Sequence, residues 1–578
     1  MKKILIGLSF ALFGLQSCDV LDVDPQSFYS ENVAYASIEN VDFYVKDLYQ
    51  AFHEYSDIEK PVDVYDDSFS DLLKYSWAAI APGNQVNKFF YYRQGINADR
   101  DFRTKWNQAY WHIRELNEFL VDMHNGLASG LDQNKLAIRV AEVRAIRAFV
   151  YQELVKRYGG IVLRISEEKV DDHTDRSKAR SSEAECWDFI INELDKAAKV
   201  LPEQWKDKDG INHVGRITKG AAYGLKARAA LYAKRWQDAV DACDEVFKLE
   251  KKGVHALLGK NQYNDIFTVP NNKELLLTVN YEKMKLQHSF NLNCCPPYDY
   301  KEAGALKDFC GAAMTPTEEY ASQFDIKVNG NWQSFTWDNL SQYANGPWTD
   351  RDPRFYASIG FDRGIWFGQG KTDINNYNDL LVVKSRYREK CGFIGNRFYS
   401  ITGYFSKKLV DYQAIVSDDV AMTQDAVPFP SIRLADLYLL YAEALNETKQ
   451  SPDDEVFEYI DKVRERAGLD GVEKAWTEHS KRPDKFRSKE GMREIIHRER
   501  LIELAMEGHA MWDLRRWKEA EEWYNRPVRG WNINKEEAEE FYKQVYLLQR
   551  VYSKKNYLWP IKDDEIRNNP KLIQNYGW

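Results

Sequence analysis

The side chains best suited to chemistry stand in two kinds of company. Glu503, Glu507, His509 and Asp513 lie along one helical run near the C-terminus, acids and an imidazole of the kind that proton transfer in a secreted glycoside hydrolase would need. The chain has 89 acidic residues, so a carboxylate pair can always be drawn and decides nothing without geometry. These four lack the order of an HExxH zinc protease and read as helix-end and inter-helix polar contacts. No GxSxG elbow, P-loop or dinucleotide glycine pattern occurs. The second company is aromatic: Trp77, Asn84, Tyr91 and Arg93 in one loop, then Tyr298, Tyr300, Tyr343, Trp348 and Trp366. A sugar ring presents an apolar face edged by hydroxyls, which flat rings beside amide and guanidinium groups can hold. Composition and location select these nine residues rather than a motif. For any one ring the competing reading is core packing or ordinary surface.

Helical periodicity supplies the frame for these groups. Apolar stripes recur over 37–53 (Val41, Val45, Leu48, Phe52), from 104 (Trp106, Tyr110, Ile113, Leu116, Leu120) and over 134–158, which stops at Gly159-Gly160. Further helices are expected over 183–201 and 218–234, the last running on to about 250. The segment ARAALYAKRWQDAVDACDEVFKL resembles one tetratricopeptide unit, whose two helices stack antiparallel. From about 250 to 425 the helical signal fades into Gly, Pro and Asn-Gly steps, a β-prone run at 274–281, and Trp332, Trp337, Trp348 and Trp366. Helices return over 433–448, 453–467 and 491–518, and a polar, aromatic tail closes the chain at 557–578. The expected fold is mainly α, a tetratricopeptide-like scaffold of helical pairs with a long, irregular, loop-rich middle. No Pro/Ser/Gly linker divides it. One body over 37–578 is expected, with scaffold at 37–250 and 426–556 and ligand loops at 251–425.

The N-terminus indicates where this body works. Lys2 and Lys3, an apolar run over 4–15 and small Ser17 before Cys18 form a secretory signal, too short and weakly flanked to be a membrane span. Leu15, Gln16, Ser17 and Cys18 resemble the lipobox of bacterial lipoproteins, in which cleavage leaves an acylated cysteine at the new terminus. That implies a signal over 1–17 and a lipidated tether over 18–36, several acyl chains holding firmly where one holds marginally. Loss of Lys2 and Lys3 takes the net charge from −9 to −11, which argues against nucleic acid as a partner. Six cysteines remain. Cys186 and Cys243 fall on apolar helix faces as small hydrophobes. Cys294, Cys295, Cys310 and Cys391 lack the CxxC spacing of a zinc site, and pairing among them is left open. No metal or cofactor is expected.

Segments spread over the mature chain resemble the SusD/RagB family of outer-membrane nutrient-binding lipoproteins. They are CDVLDVDPQS from Cys18, AEVRAIRAFVYQELVKRYGGIVL from Ala141, GRITKGAAYGLKARAALY from Gly215, RDPRFYASI from Arg351 and PFPSIRLADLYLLYAEALNE from Pro428. VRERAGL from Val463, RERLIELAMEGHAMWDLRRW from Arg498 and YLWPIKDDEIRNNPKLIQNYGW from Tyr557 complete the set. The resemblance implies a helical lipoprotein on the outer membrane of Bacteroidetes-type bacteria, facing the exterior as a lid over a SusC-like TonB-dependent transporter. It implies capture of oligosaccharides or, in the RagB branch, peptides, with no catalytic step.

Overall fold

The computed structural model describes residues 31–56, 74–75, 96–99, 105–166, 177–206, 215–282, 314–338, 340–342, 347–366, 381–389, 391–393, 399–410 and 427–578, with single positions at 285, 288, 294, 296 and 312. The first half of the scaffold comprises α1 (Ile38–Leu48), α2 (Gln50–Ser56), α3 (Lys105–His124), α4 (Gln133–Tyr158), α5 (Glu183–Val200), α6 (Lys219–Tyr232) and α7 (Trp236–Lys251). The second half holds β2 (Phe429–Arg433), α8 (Leu434–Thr448), α9 (Asp454–Arg466), α10 (Lys489–Glu503) and α11 (Ala510–Arg516). Each of α3 to α7 packs on the next, α7 packs on α8, and α8 on α9 and α10, so the helices form one progressive stack. The mainly α, tetratricopeptide-like expectation holds.

Local chemistry sets the boundaries. Asp132 caps α4 by accepting from the backbone N–H groups of Asn134 and Lys135, and Ser182 and Glu185 form a reciprocal capping box on α5. At the far end of α4, Gly159 turns at φ 70°, and a Cβ on Gly160 would come within 2.3 Å of the Ser181 carbonyl oxygen. Both glycines are therefore required, one for its dihedral angle and one for close approach. Alanines at 221, 222, 227, 229 and 230 are wholly buried in α6 and let its neighbours approach closely. One continuous apolar core runs from Ala34 to Leu572. Cys186 and Cys243 lie in it as free thiols. Cys294 and Cys391 are also buried, while Cys295 and Cys310 lie outside the described residues.

Four boundaries differ from the periodicity. The run at 37–53 divides at Tyr49, whose hydroxyl donates to Glu142 at 2.6 Å and accepts from the Ile217 N–H at 2.9 Å. Residues 31–36 are already docked, with Ala34 and Tyr35 buried and the Tyr35 hydroxyl on Asp122. The run at 491–518 divides into α10 and α11 because Met506 and Gly508 take φ 62° and 80°. That turn swings the Glu507 carboxylate back beside Glu503. Lastly, the β-prone run becomes β1 (Leu275–Val279), which pairs antiparallel with β2 and belongs to the scaffold.

The C-terminal segment is built in. Trp559 and Ile561 are fully buried, the Trp559 N–H donates to the Arg157 carbonyl, and the Asn575 side chain donates to the carbonyls of Tyr158 and Trp559. It seals the end of α4.

Candidate functional site

The irregular middle is held together by rings and short strand pairs. Trp348 lies nearly parallel to Phe355 and Phe361, with centroids at 6.1 and 5.4 Å, and meets Tyr404 and Trp531 edge-on. Beneath it the Glu318 carboxylate accepts from the Tyr404 hydroxyl and the Ser322 hydroxyl, each at 2.6 Å, and from the Trp337 indole N–H. Burial, with the neighbouring Glu319 charge adding to it, pushes the Glu318 acid up to about 7 against the pull of those three donors. Asn329 and Gly330, at φ 51° and 87°, close the hairpin of 326–328 with 331–333 through a primed turn.

Two of the nine expected ligand residues can be placed. Trp348 is partly buried in the ring cluster, and Trp366 is 4% exposed against Gly360, where a Cβ would meet its ring at 2.7 Å. The described contacts of both are packing contacts. Trp77, Asn84, Tyr91, Arg93, Tyr298, Tyr300 and Tyr343 lie outside the described residues, as does Cys18. The structure does bring together the chain on either side of them. Lys74–Tyr75, just before Trp77, pairs antiparallel with Met314–Thr315, in the register Lys74 with Thr315 and Tyr75 with Met314. The Ser406 hydroxyl then fastens the Met314 carbonyl at 2.9 Å. Two stretches 240 residues apart in sequence are thus one edge in space.

The hydrolase candidates have other work. Arg433 donates to Glu507 at 2.6 and 2.8 Å, to Glu503 at 2.9 Å and to Glu274 at 2.9 Å, and all four side chains are at most 1% exposed. Arg466 bridges Glu274 and Glu503, Lys408 pairs with Glu507, and Arg354 reaches Asp352, Glu499 and Glu503. Burial alone would raise the Glu503 carboxyl, but Arg466, Arg433, Arg354 and Lys408 hold it well below the usual carboxylate range. Asp513 falls to about 2 between Arg500 and Arg516 despite its burial. Burial holds the His509 imidazole down to about 4, hence neutral at pH 7. A general acid needs an elevated pKa and access to substrate. None of the four is elevated, the three acids are buried in ion pairs, and the expectation of polar contacts between elements holds for Glu503, Glu507 and Asp513. Their partners, Arg354, Lys408, Arg433 and Arg466, are the residues that sequence reasoning missed. The one signal was a set of cations embedded in apolar stretches.

No helix among the described residues is long and apolar enough to cross a membrane. Residues 19–231 match a family described as starch-binding and associating with the outer membrane, and residues 273–578 match the SusD family. A SusD-like protein P25 of Formosa agariphila is 25% identical over 524 residues, covering 88% of each chain. A SusD-like protein of Bacteroides ovatus is 24% identical over 526 residues, 89% of this chain and 82% of its own. A crystal structure of a SusD-like protein from Bacteroides fragilis superposes with a TM-score of 0.74 at 26% identity, covering 94% of this chain and 98% of that one. A laminarin-binding SusD-like protein shares the fold at TM-score 0.63 and 20% identity, over 93% and 99%. With more than half of its length matched by that family's model and its fold shared over 94% of the chain, the protein belongs to the SusD family.

Proposed function

We propose that this protein is a lipoprotein of the outer membrane, anchored through Cys18 and facing the exterior, that captures an oligosaccharide and passes it to a SusC-like TonB-dependent transporter. The observation that carries the reading is the pairing of Lys74–Tyr75 with Met314–Thr315. It joins the chain entering the loop of Trp77, Asn84, Tyr91 and Arg93 to the chain following Tyr298 and Tyr300, so both ring-bearing stretches can serve one ligand. The family's carbohydrate-binding character and the laminarin-binding neighbour agree with it. The interlocked carboxylates of Glu503, Glu507 and Asp513 favour binding without turnover.

Calorimetry of the mature chain against oligosaccharides and peptides, followed by product analysis, tests this. Saccharide binding that weakens at least about tenfold, about 1.4 kcal/mol, in Trp77→Ala or Tyr91→Ala is expected. Released reducing ends would overturn it, and tight peptide binding with no saccharide affinity would move the protein to the RagB-like reading. Cys18→Ser should appear in the soluble fraction.

A further inference from the structure

We infer that the cleft between the C-terminal ends of α6 and α11 and the segment 554–576 is a second binding site, built for a saccharide that carries carboxylate or sulfate groups. The inference rests on the saccharide reading above and extends it to a different face of the molecule. The cleft has a volume of about 540 Å³, within the range of small-ligand sites. Lys234, Lys518, Lys554 and Lys555 line it beside Arg515, against one carboxylate, Glu183, among the described residues. Trp187, Tyr232 and Tyr557 add ring surface. Three of the cations at its wall are already engaged, Lys156 with Glu153, Arg516 with Glu443 and Asp513, and Arg515 with the Asn556 carbonyl. In a chain of net charge −9, so unbalanced a cluster asks for an anion. Burial and the neighbouring charges of Lys234 and Arg515 hold the Lys518 ammonium below the usual lysine range, with Glu183 only partly opposing them.

The backbone supplies an independent observation. Helices α6 and α11 end in the same way. The Arg235 N–H reaches the Ala230 carbonyl and the Lys234 N–H that of Leu231; the Glu519 N–H reaches Leu514 and the Lys518 N–H reaches Arg515. This is a Schellman ending, whose left-handed position is ordinarily glycine. Here it is lysine twice, Lys234 at φ 58° and Lys518 at φ 65°. A helix dipole favours a cation in the last turn, but a lysine one turn earlier would serve it on a relaxed backbone. Two strained lysines lining one cleft point to a function for their side chains. Concave walls with rings suit a saccharide better than the flat face of a protein.

Lys234→Gly combined with Lys518→Gly removes the charges and relieves both backbones, so the proposal predicts opposite changes in binding and stability. In calorimetry, tetragalacturonate or a chondroitin sulfate tetrasaccharide should bind the native mature protein, more weakly as salt rises. Either should bind the double variant at least about tenfold more weakly, while maltotetraose affinity is unchanged and the melting temperature is equal or higher. Equal acidic-saccharide affinity in the double variant would overturn the proposal. So would binding of neutral but not acidic saccharides by the native protein, or charge-dependent binding to phosphatidylglycerol vesicles with none to the tetrasaccharides. Failure of every saccharide, neutral and acidic, would instead sink the parent reading.

Discussion

The fully buried interior around Arg433 and the ring cluster around partly buried Trp348 are stabilised by different means. At Arg433, four cations and five carboxylates from segments between 274 and 507 satisfy one another, and every carboxylate has a guanidinium or ammonium partner. At Trp348, stacked rings surround one acid, Glu318, whose partners among the described residues are hydroxyl and indole donors. Charge networks demand specific partners and so fix how α8, α9 and α10 meet. Ring clusters are held by area and tolerate small displacements.

The sharpest way to break the contrast is to remove the hub. Arg433→Ala leaves Glu274, Glu503 and Glu507 short of a buried partner and should cost at least about 4 kcal/mol in denaturant unfolding. Arg433→Met with Glu274→Gln should recover a large part of it, because Glu503 keeps Arg354 and Arg466, Glu507 keeps Lys408, and the cost is stranded charge more than lost attraction. Trp348→Ala should cost about 3 kcal/mol through its cavity. If it instead lowers saccharide affinity with an unchanged melting temperature, the ring faces ligand and not the cluster.

The smallest expected effect comes from acid titration. The folded-state pKa of Glu318, about 7, lies above its ordinary 4.5. Its contribution is therefore fully present below pH 4.5 and lost as pH rises through about 7. Glu318→Gln should gain about 2 kcal/mol over the native protein at pH 8 and almost nothing at pH 4, flattening the stability profile between them. A parallel shift at both pH values would mean the acid is not protonated in the fold.

Sequence patterning revealed the elements that depend on neighbouring residues. The stop at Gly159-Gly160, the helix pair at 219–251 and the strand near 275 follow from turn residues and periodicity acting over a few positions. The division between α10 and α11 was not legible, since only Gly508 marks it and the reason for it, Glu507 meeting Arg433, spans 74 residues. Nor was the pairing of Tyr75 with Met314, which no local pattern encodes. The packed rings of partly buried Trp348 and buried Trp366 show the limit of composition: tryptophan in an irregular stretch serves packing as readily as recognition.

The grip of Asn575 on Tyr158 and of Arg180 on Asn575 closes loops of 417 and 395 residues. A helix that emerges early in synthesis thus waits for nearly the last amino acids before its end is covered. An exopeptidase trimming only a handful of residues would unfasten it, so resistance to carboxypeptidase digestion offers a simple readout of whether a given preparation has finished maturing.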